Sequence, residues 1–197
     1  MDASPQCRPL TRADYRFDVV LAIVVFVGAL ISAALSSIAG VYGAEQQSSM
    51  GLAIGYAAVI SLPLAFRRRW PSVVAVIVAL AYFAAVSLRI PETFAGSIAM
   101  FVAIYTVGAW STDRRRARIV RVALIAGMFL WLLVTMFMQA TAPTDIGISR
   151  TGSFSPFVAV TLLNLMINAL YFGGAYYLGD RAWNSALQRA ALEQRTA

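Results

Sequence analysis

Six apolar runs, each about long enough to carry a helix across the hydrocarbon of a bilayer, constrain this chain more than any other feature. A crossing helix needs about 20 apolar residues, because no water reaches its backbone and every polar group must be bonded within the helix. The runs place spans at about 19–40, 50–66, 71–87, 94–110, 119–140 and 157–178. The expected fold is all-α: a polytopic membrane protein, a bundle of six transmembrane helices. Residues 1–17 form an N-terminal tail, 18–178 the membrane domain and 179–197 a cytoplasmic exit helix.

All sixteen basic residues are arginine, and their placement sets the expected orientation. Arginine is costly to move across a bilayer during insertion, so it stays in cytoplasmic loops. Arg8, Arg12 and Arg16 precede the first run; Arg67, Arg68 and Arg69 divide the second from the third. Arg114, Arg115, Arg116, Arg118 and Arg121 divide the fourth from the fifth, and Arg181, Arg189 and Arg195 follow the last. The opposite loops hold Arg89 and Arg150. Both termini are expected in the cytoplasm, and the protein in the plasma membrane of a bacterium. Arginine without lysine, alongside abundant alanine, suggests a GC-rich bacterial genome. The net charge of +7 follows from the same bias. It favours anionic inner-leaflet lipids, at about 1 kcal/mol per basic residue near the surface. The expected headgroup contacts are Arg67, Arg68, Arg69, Arg114, Arg115, Arg116, Arg118 and Arg121. Nucleic acid is not expected, since no basic face is free of the membrane.

Composition removes much chemistry. The chain has no histidine, which excludes an axial His to haem, His-ligated zinc and a His base. Cys7 is alone and forms no internal disulfide. No Walker loop, catalytic triad or metal cluster is present, so no cofactor and no metal are expected. Ion-coupled transporters usually carry ionisable groups near the midplane. Here Asp18 stands at the edge of the first span, where Arg16 is its expected partner. The loops at 41–49, 88–93 and 141–156 are too short to build an extracytoplasmic domain, even with Pro143, Gly147 and Gly152 in the longest. Any signal must then be read in the membrane, at its rim or from the cytoplasm.

Several constellations stand out. Gly28, Ser32, Ser36 and Gly40 recur at spacing four, and Gly51 and Gly55 form a GxxxG; both suit close helix packing, within one chain or between two. Pro63 should kink the second span. Pro71 fits a first helical turn, and Trp70 and Trp110 fit the inner interface. Thr161, Asn164, Asn168 and Tyr171 share one face of the sixth run. Amides in lipid need partners, so this face either bonds to neighbouring helices or forms part of a sensing or small-ligand site. Beyond Gly179, Trp183, Ala186, Leu187, Ala190 and Ala191 recur at helical spacing. That tail is either an amphipathic terminus on the bilayer or the start of a two-stranded coiled coil.

Three segments resemble a known family. LPLAFRRRWPSVVAVIVAL at 62–80, IYTVGAWSTDRRRA at 104–117 and YYLGDRAWNSALQRAALEQRTA at 176–197 are similar to the N-terminal six-helix membrane domains of actinobacterial NarL/DesK-type sensor histidine kinases. The likeness covers roughly residues 15–197. It implies a homodimeric signal-input domain of a two-component system. The last helix would relay a membrane or small-ligand signal to a cytoplasmic kinase half and its response regulator. Gly179, Asp180, Arg181, Trp183 and Leu187 would couple, and Thr161, Asn164, Asn168 and Tyr171 would sense. The departure is large: with no histidine there is no phosphoacceptor, and no ATP-binding motif follows. The chain itself is therefore not expected to be an enzyme, although a full-length parent would be a histidine kinase. A small transporter or substrate-binding membrane subunit, and a non-signalling scaffold, are the alternatives.

Overall fold

A computed structural model describes residues 11–40, 48–92, 94–141 and 156–196. Its helices are α1 (Arg12–Ile38), α2 (Met50–Ser61), α3 (Pro71–Ser87), α4 (Ala95–Trp110), α5 (Arg114–Thr141) and α6 (Pro156–Thr196), with a 3-10 turn, Leu62–Phe66, after α2. No strand occurs among the described residues. Three stretches are long and apolar enough to cross a membrane by length and composition: Arg12–Ile38, Arg114–Met138 and Val158–Glu193. The apolar stretch Met50–Phe66 and the helices α3 and α4 are shorter.

Local chemistry sets the ends. Thr11 Oγ1 accepts the Asp14 N–H at 3.2 Å, and Asp14 accepts the Thr11 N–H at 3.0 Å. This reciprocal cap starts α1 inside the stretch expected to be a tail. Glu92 Oε1 and Oε2 accept the N–H groups of Phe94, Ala95 and Gly96 at 2.6–2.9 Å and so start α4. Asp113 does the same for α5, through Arg115 and Arg116 at 2.9 and 3.0 Å. Pro63 does not kink a continuous helix. It lacks the N–H that α-helical bonding needs, and the chain tightens into the 3-10 turn around it. At the other end of the chain, α6 runs unbroken through Gly179, so the sixth run and the exit segment are one 41-residue helix.

Alanine is prominent in the core, beside Ile60, Leu64, Met100, Ile104 and Phe172, while many large apolar side chains lie outside. Ala29, Ala57, Ala75, Ala99 and Ala175 are fully buried, whereas Leu35, Leu80, Leu130, Phe137 and Leu170 are exposed. In water this arrangement would waste the hydrophobic effect. In lipid, tails solvate the large side chains, and helices associate through close van der Waals contact between small ones. α6 packs most extensively on α4; α3 also lies against α4, and α1 against α2 and the 3-10 turn. α5 is held more thinly, against α4, α6 and α3.

The expected glycine stripes do not serve this packing. A Cβ added at Gly28, Gly40 or Gly55 would meet nothing within 4 Å, and at Gly51 it would meet Ser49 Oγ alone, at 3.9 Å. The buried stripe of α1 is Ala22, Val25, Ala29, Ala33 and Ser36. Gly28 precedes Ala29, so it is turned about 100° away from that stripe. Ser36 is buried as expected, and Ser32 half-buried. Gly40 has φ +68° and instead ends α1, a left-handed position that suits glycine.

Candidate functional site

One end of the bundle gathers two clusters of ion pairs. Asp18, on α1, is 2% exposed. It does not pair with Arg16, which is two residues away on the opposite, exposed side of the helix. It accepts instead from Arg67 Nε at 2.9 Å and Nη2 at 2.8 Å, and pairs with Arg68 Nε at 2.9 Å. Arg68 also reaches Asp14 at 2.5 Å and lies 4.6 Å over the Trp110 ring. The start of α1, the turn before α3 and the end of α4 are thereby tied together.

A second cluster ties α4, α5 and α6. Arg121 is 1% exposed; its Nη2 lies 2.8 Å from Asp180 Oδ1, and its Nη1 donates to the Tyr176 carbonyl at 3.2 Å. Its guanidinium sits 4.0 Å over the Tyr176 ring. Arg114 joins the same carboxylate at 2.5 Å, donates to the Gly108 carbonyl at 2.6 Å and stacks over Trp183 at 4.8 Å. Burial opposes charge on Asp180, but the hydrogen bonds from Arg121 and Arg114 outweigh it and hold the carboxyl below the usual carboxylate value. Beside the clamp, α4 and α6 cross with almost no space between them. A Cβ at Gly179 would lie 2.9 Å from the Tyr105 carbonyl oxygen and 3.2 Å from Gly108 Cα. Glycine at both positions is what lets the two backbones meet.

Of the expected coupling residues, Gly179, Asp180 and Trp183 stand at this junction. Arg181 and Leu187 are exposed on the tail beyond it. Arg67, Arg68 and Arg121, expected at lipid headgroups, are turned into the protein, with Arg114 half-exposed beside them. A carboxylate removed from water needs a cation beside it, and these arginines supply it. Arg69, Arg115, Arg116 and Arg118 remain exposed.

The polar face of the sixth run divides. Asn164 and Asn168 line a cavity of about 130 Å³ with Tyr82 of α3, Trp131 of α5 and Phe172 of α6. Neither forms a bond between helices among the described residues; the amides donate to the backbone of α6 itself, at Val160 O (3.2 Å) and Asn164 O (2.8 Å). Tyr171 packs edge-on against Phe101 of α4 at 5.2 Å. Thr161 is half-buried outside the cavity lining. Arg114 and Arg121 were expected at headgroups, not as partners of Asp180, and Gly108, Tyr82 and Trp131 were not foreseen as parts of a site. One signal was available: Arg114 and Arg121 are seven apart, hence on one helical face, and Asp180 is the acid just past the sixth run.

Fold and site together define an all-helical bundle with a lipid-compatible exterior and a charged clamp where its last helix leaves the core. The chain belongs to the family described as a domain of unknown function, DUF7134, whose model matches residues 8–182. No curated protein and no solved structure matches it.

Proposed function

We propose that this chain is a membrane-embedded signal-input domain, of the kind that feeds a two-component histidine kinase. It has six spans, both termini face the cytoplasm, and it acts as a homodimer. The observation that carries this reading is the unbroken α6. It borders the cavity at Asn164 and Asn168, crosses α4 at Gly179, is clamped at Asp180, and continues to Thr196. A ligand or bilayer change that shifts packing at the cavity moves the same rigid element that leaves the bundle. Two packings that differ by a few kcal/mol suffice for such a switch. The cavity approaches the size of an engineered apolar cavity of about 150 Å³ that binds benzene. Its amides and tyrosine favour a small, uncharged molecule with one or two hydrogen-bonding groups. The kinase half with its phosphoacceptor histidine, and the response regulator, would be partners of this domain.

Topology is tested with Cys7, which lies outside the described residues, replaced. Cysteines at positions 47 and 149, also outside them, should react with an impermeant thiol reagent on intact cells, and one at Thr112 should not. The signalling role is tested by fusing residues 1–197 to a kinase half and inserting residues after Trp183. One residue rotates the downstream helix by about 100°, and seven nearly restore its face. One alanine should lock autophosphorylation high or low, and a heptad should preserve regulation. Equal behaviour of the two insertions would reduce the tail to a tether and leave the scaffold reading.

A further inference from the structure

We propose that the cleft between the two arginine turns is a binding site for one phosphate-bearing anion, held by Arg69 and Arg116. The cleft is open to the surface and offers about 320 Å³ between the turn that enters α3 and the link from α4 to α5. At roughly 30 Å³ per water that is space for about ten waters, enough for a phosphate with a short polar substituent.

Its chemistry is heavily biased toward donors. Arg68, Arg69 and Arg116 all line it. Arg68 is already balanced by Asp14 and Asp18. Arg69 and Arg116 are exposed and form no ion pair among the described residues. Asp113 is the acid in the lining, but its Oδ1 already accepts two N–H groups as the cap of α5. The start of α3 also borders the cleft, and no side chain caps it. Its first-turn N–H groups therefore add partial positive charge to the two guanidiniums. Planar guanidiniums bind phosphate oxygens in pairs, which ammonium groups do not. Trp70 and Trp110 form the walls, and indoles favour the depth of lipid headgroups. The shared chemistry is a phosphate ester or free phosphate. The two indoles favour the phosphodiester of an anionic phospholipid. The inference does not rest on the signalling role.

The test uses the full chain in phosphatidylcholine nanodiscs, with and without phosphatidylglycerol. A parallel series adds inorganic phosphate to phosphatidylcholine discs alone. The readout is the midpoint of thermal unfolding, followed by helical circular dichroism. Phosphatidylglycerol should raise the midpoint of the wild type and of Arg115→Gln/Arg118→Gln, which loses equal charge outside the cleft. Arg69→Gln/Arg116→Gln should lose at least half of that rise while keeping its helical signal in phosphatidylcholine. Arg69→Lys/Arg116→Lys, which keeps charge but not the fork, should fall between the two and serves if the glutamine pair folds poorly. A rise from inorganic phosphate with the same dependence on the two arginines assigns the site to a soluble anion, and its absence assigns the site to lipid. Equal losses in the two glutamine pairs would reduce the effect to diffuse attraction and overturn the proposal, as would no rise from either anion.

Discussion

Replacing Gly179 by alanine puts a methyl group where α4 and α6 touch. The new Cβ would lie 2.9 Å from the Tyr105 carbonyl oxygen and 3.2 Å from Gly108 Cα. Both are backbone atoms, so no rotamer change relieves the contact. The helices must part by about 0.5 Å to restore ordinary van der Waals spacing. Overpacking of this kind costs about 1–3 kcal/mol. Alanine returns about 1 kcal/mol through its better helix propensity. The net expectation is a loss of up to about 2 kcal/mol. Gly173, on the same helix, supplies the control, because an added Cβ there meets nothing within 4 Å. Gly173→Ala should gain the propensity term alone, about 1 kcal/mol. The difference between the two variants isolates the crossing and should be about 1–3 kcal/mol. Gly108→Ala should fall at the upper end of that range, since its Cβ would also meet Arg121 Nη1 at 2.5 Å. Dodecyl sulfate titration of the detergent-solubilised chain, followed by far-ultraviolet circular dichroism, measures all three. If Gly179→Ala matches Gly173→Ala within about 0.5 kcal/mol, the close crossing does not exist.

The same titration ranks the ion pairs. Asp18→Asn strands the buried Arg67 and should cost about 3–5 kcal/mol, whereas Arg16→Gln should cost under about 0.5. Asp180→Asn should cost about 2 kcal/mol, because its carboxylate is a third exposed, and Arg114→Gln less than about 1. Acid exposes the caps and clamps as well. Thr11, through its side chain and backbone, and then Arg68 hold the Asp14 carboxyl at about 2 against a usual 3.8; Asp180 is depressed too. Stability from a depressed carboxyl is complete above the unfolded value and lost as pH falls through the folded one. Unfolding midpoints should therefore be flat from about pH 7 to 5 and decline from about pH 4 toward 2, with Asp14→Asn/Asp180→Asn flattening the decline.

The sequence was most legible where punctuation and hydropathy coincide. The expected third span and α3 share their limits, because Pro71 opens the helix just after an arginine turn that cannot enter hydrocarbon. Hydropathy reports solvent rather than backbone, so it stopped short at α1, α5 and α6. Their charged turns stay helical: Thr11 and Asp14 cap one, Asp113 caps another, and α6 crosses Gly179 without a break. The site was legible only as single residues. Asn164 and Asn168 were visible as polar groups in an apolar run, but Tyr82 and Trp131, which line the cavity with them, come from helices far away in sequence. The two ion-pair clusters were hidden for a similar reason. Arginines concentrated at one end of a bundle say nothing of which carboxylate each will meet. Gly51 and Gly55 formed the conspicuous motif, yet the close backbone crossing joins Gly108 and Gly179, one from each helix, which no linear pattern records.

The continuous α6 makes the crossing at Gly179 a fulcrum. Beyond it the helix extends through residues 180–196, an arm of about 26 Å at 1.5 Å per residue. A tilt of about 10° at the crossing swings the far end sideways through about 4–5 Å. The same tilt moves the helix at Asn168, eleven residues before the crossing, by about 3 Å, so the arm gears the motion up by about half again. The Asp180 carboxylate sits next to the pivot, so its ion pairs fix the point about which the arm turns and leave the tilt itself free.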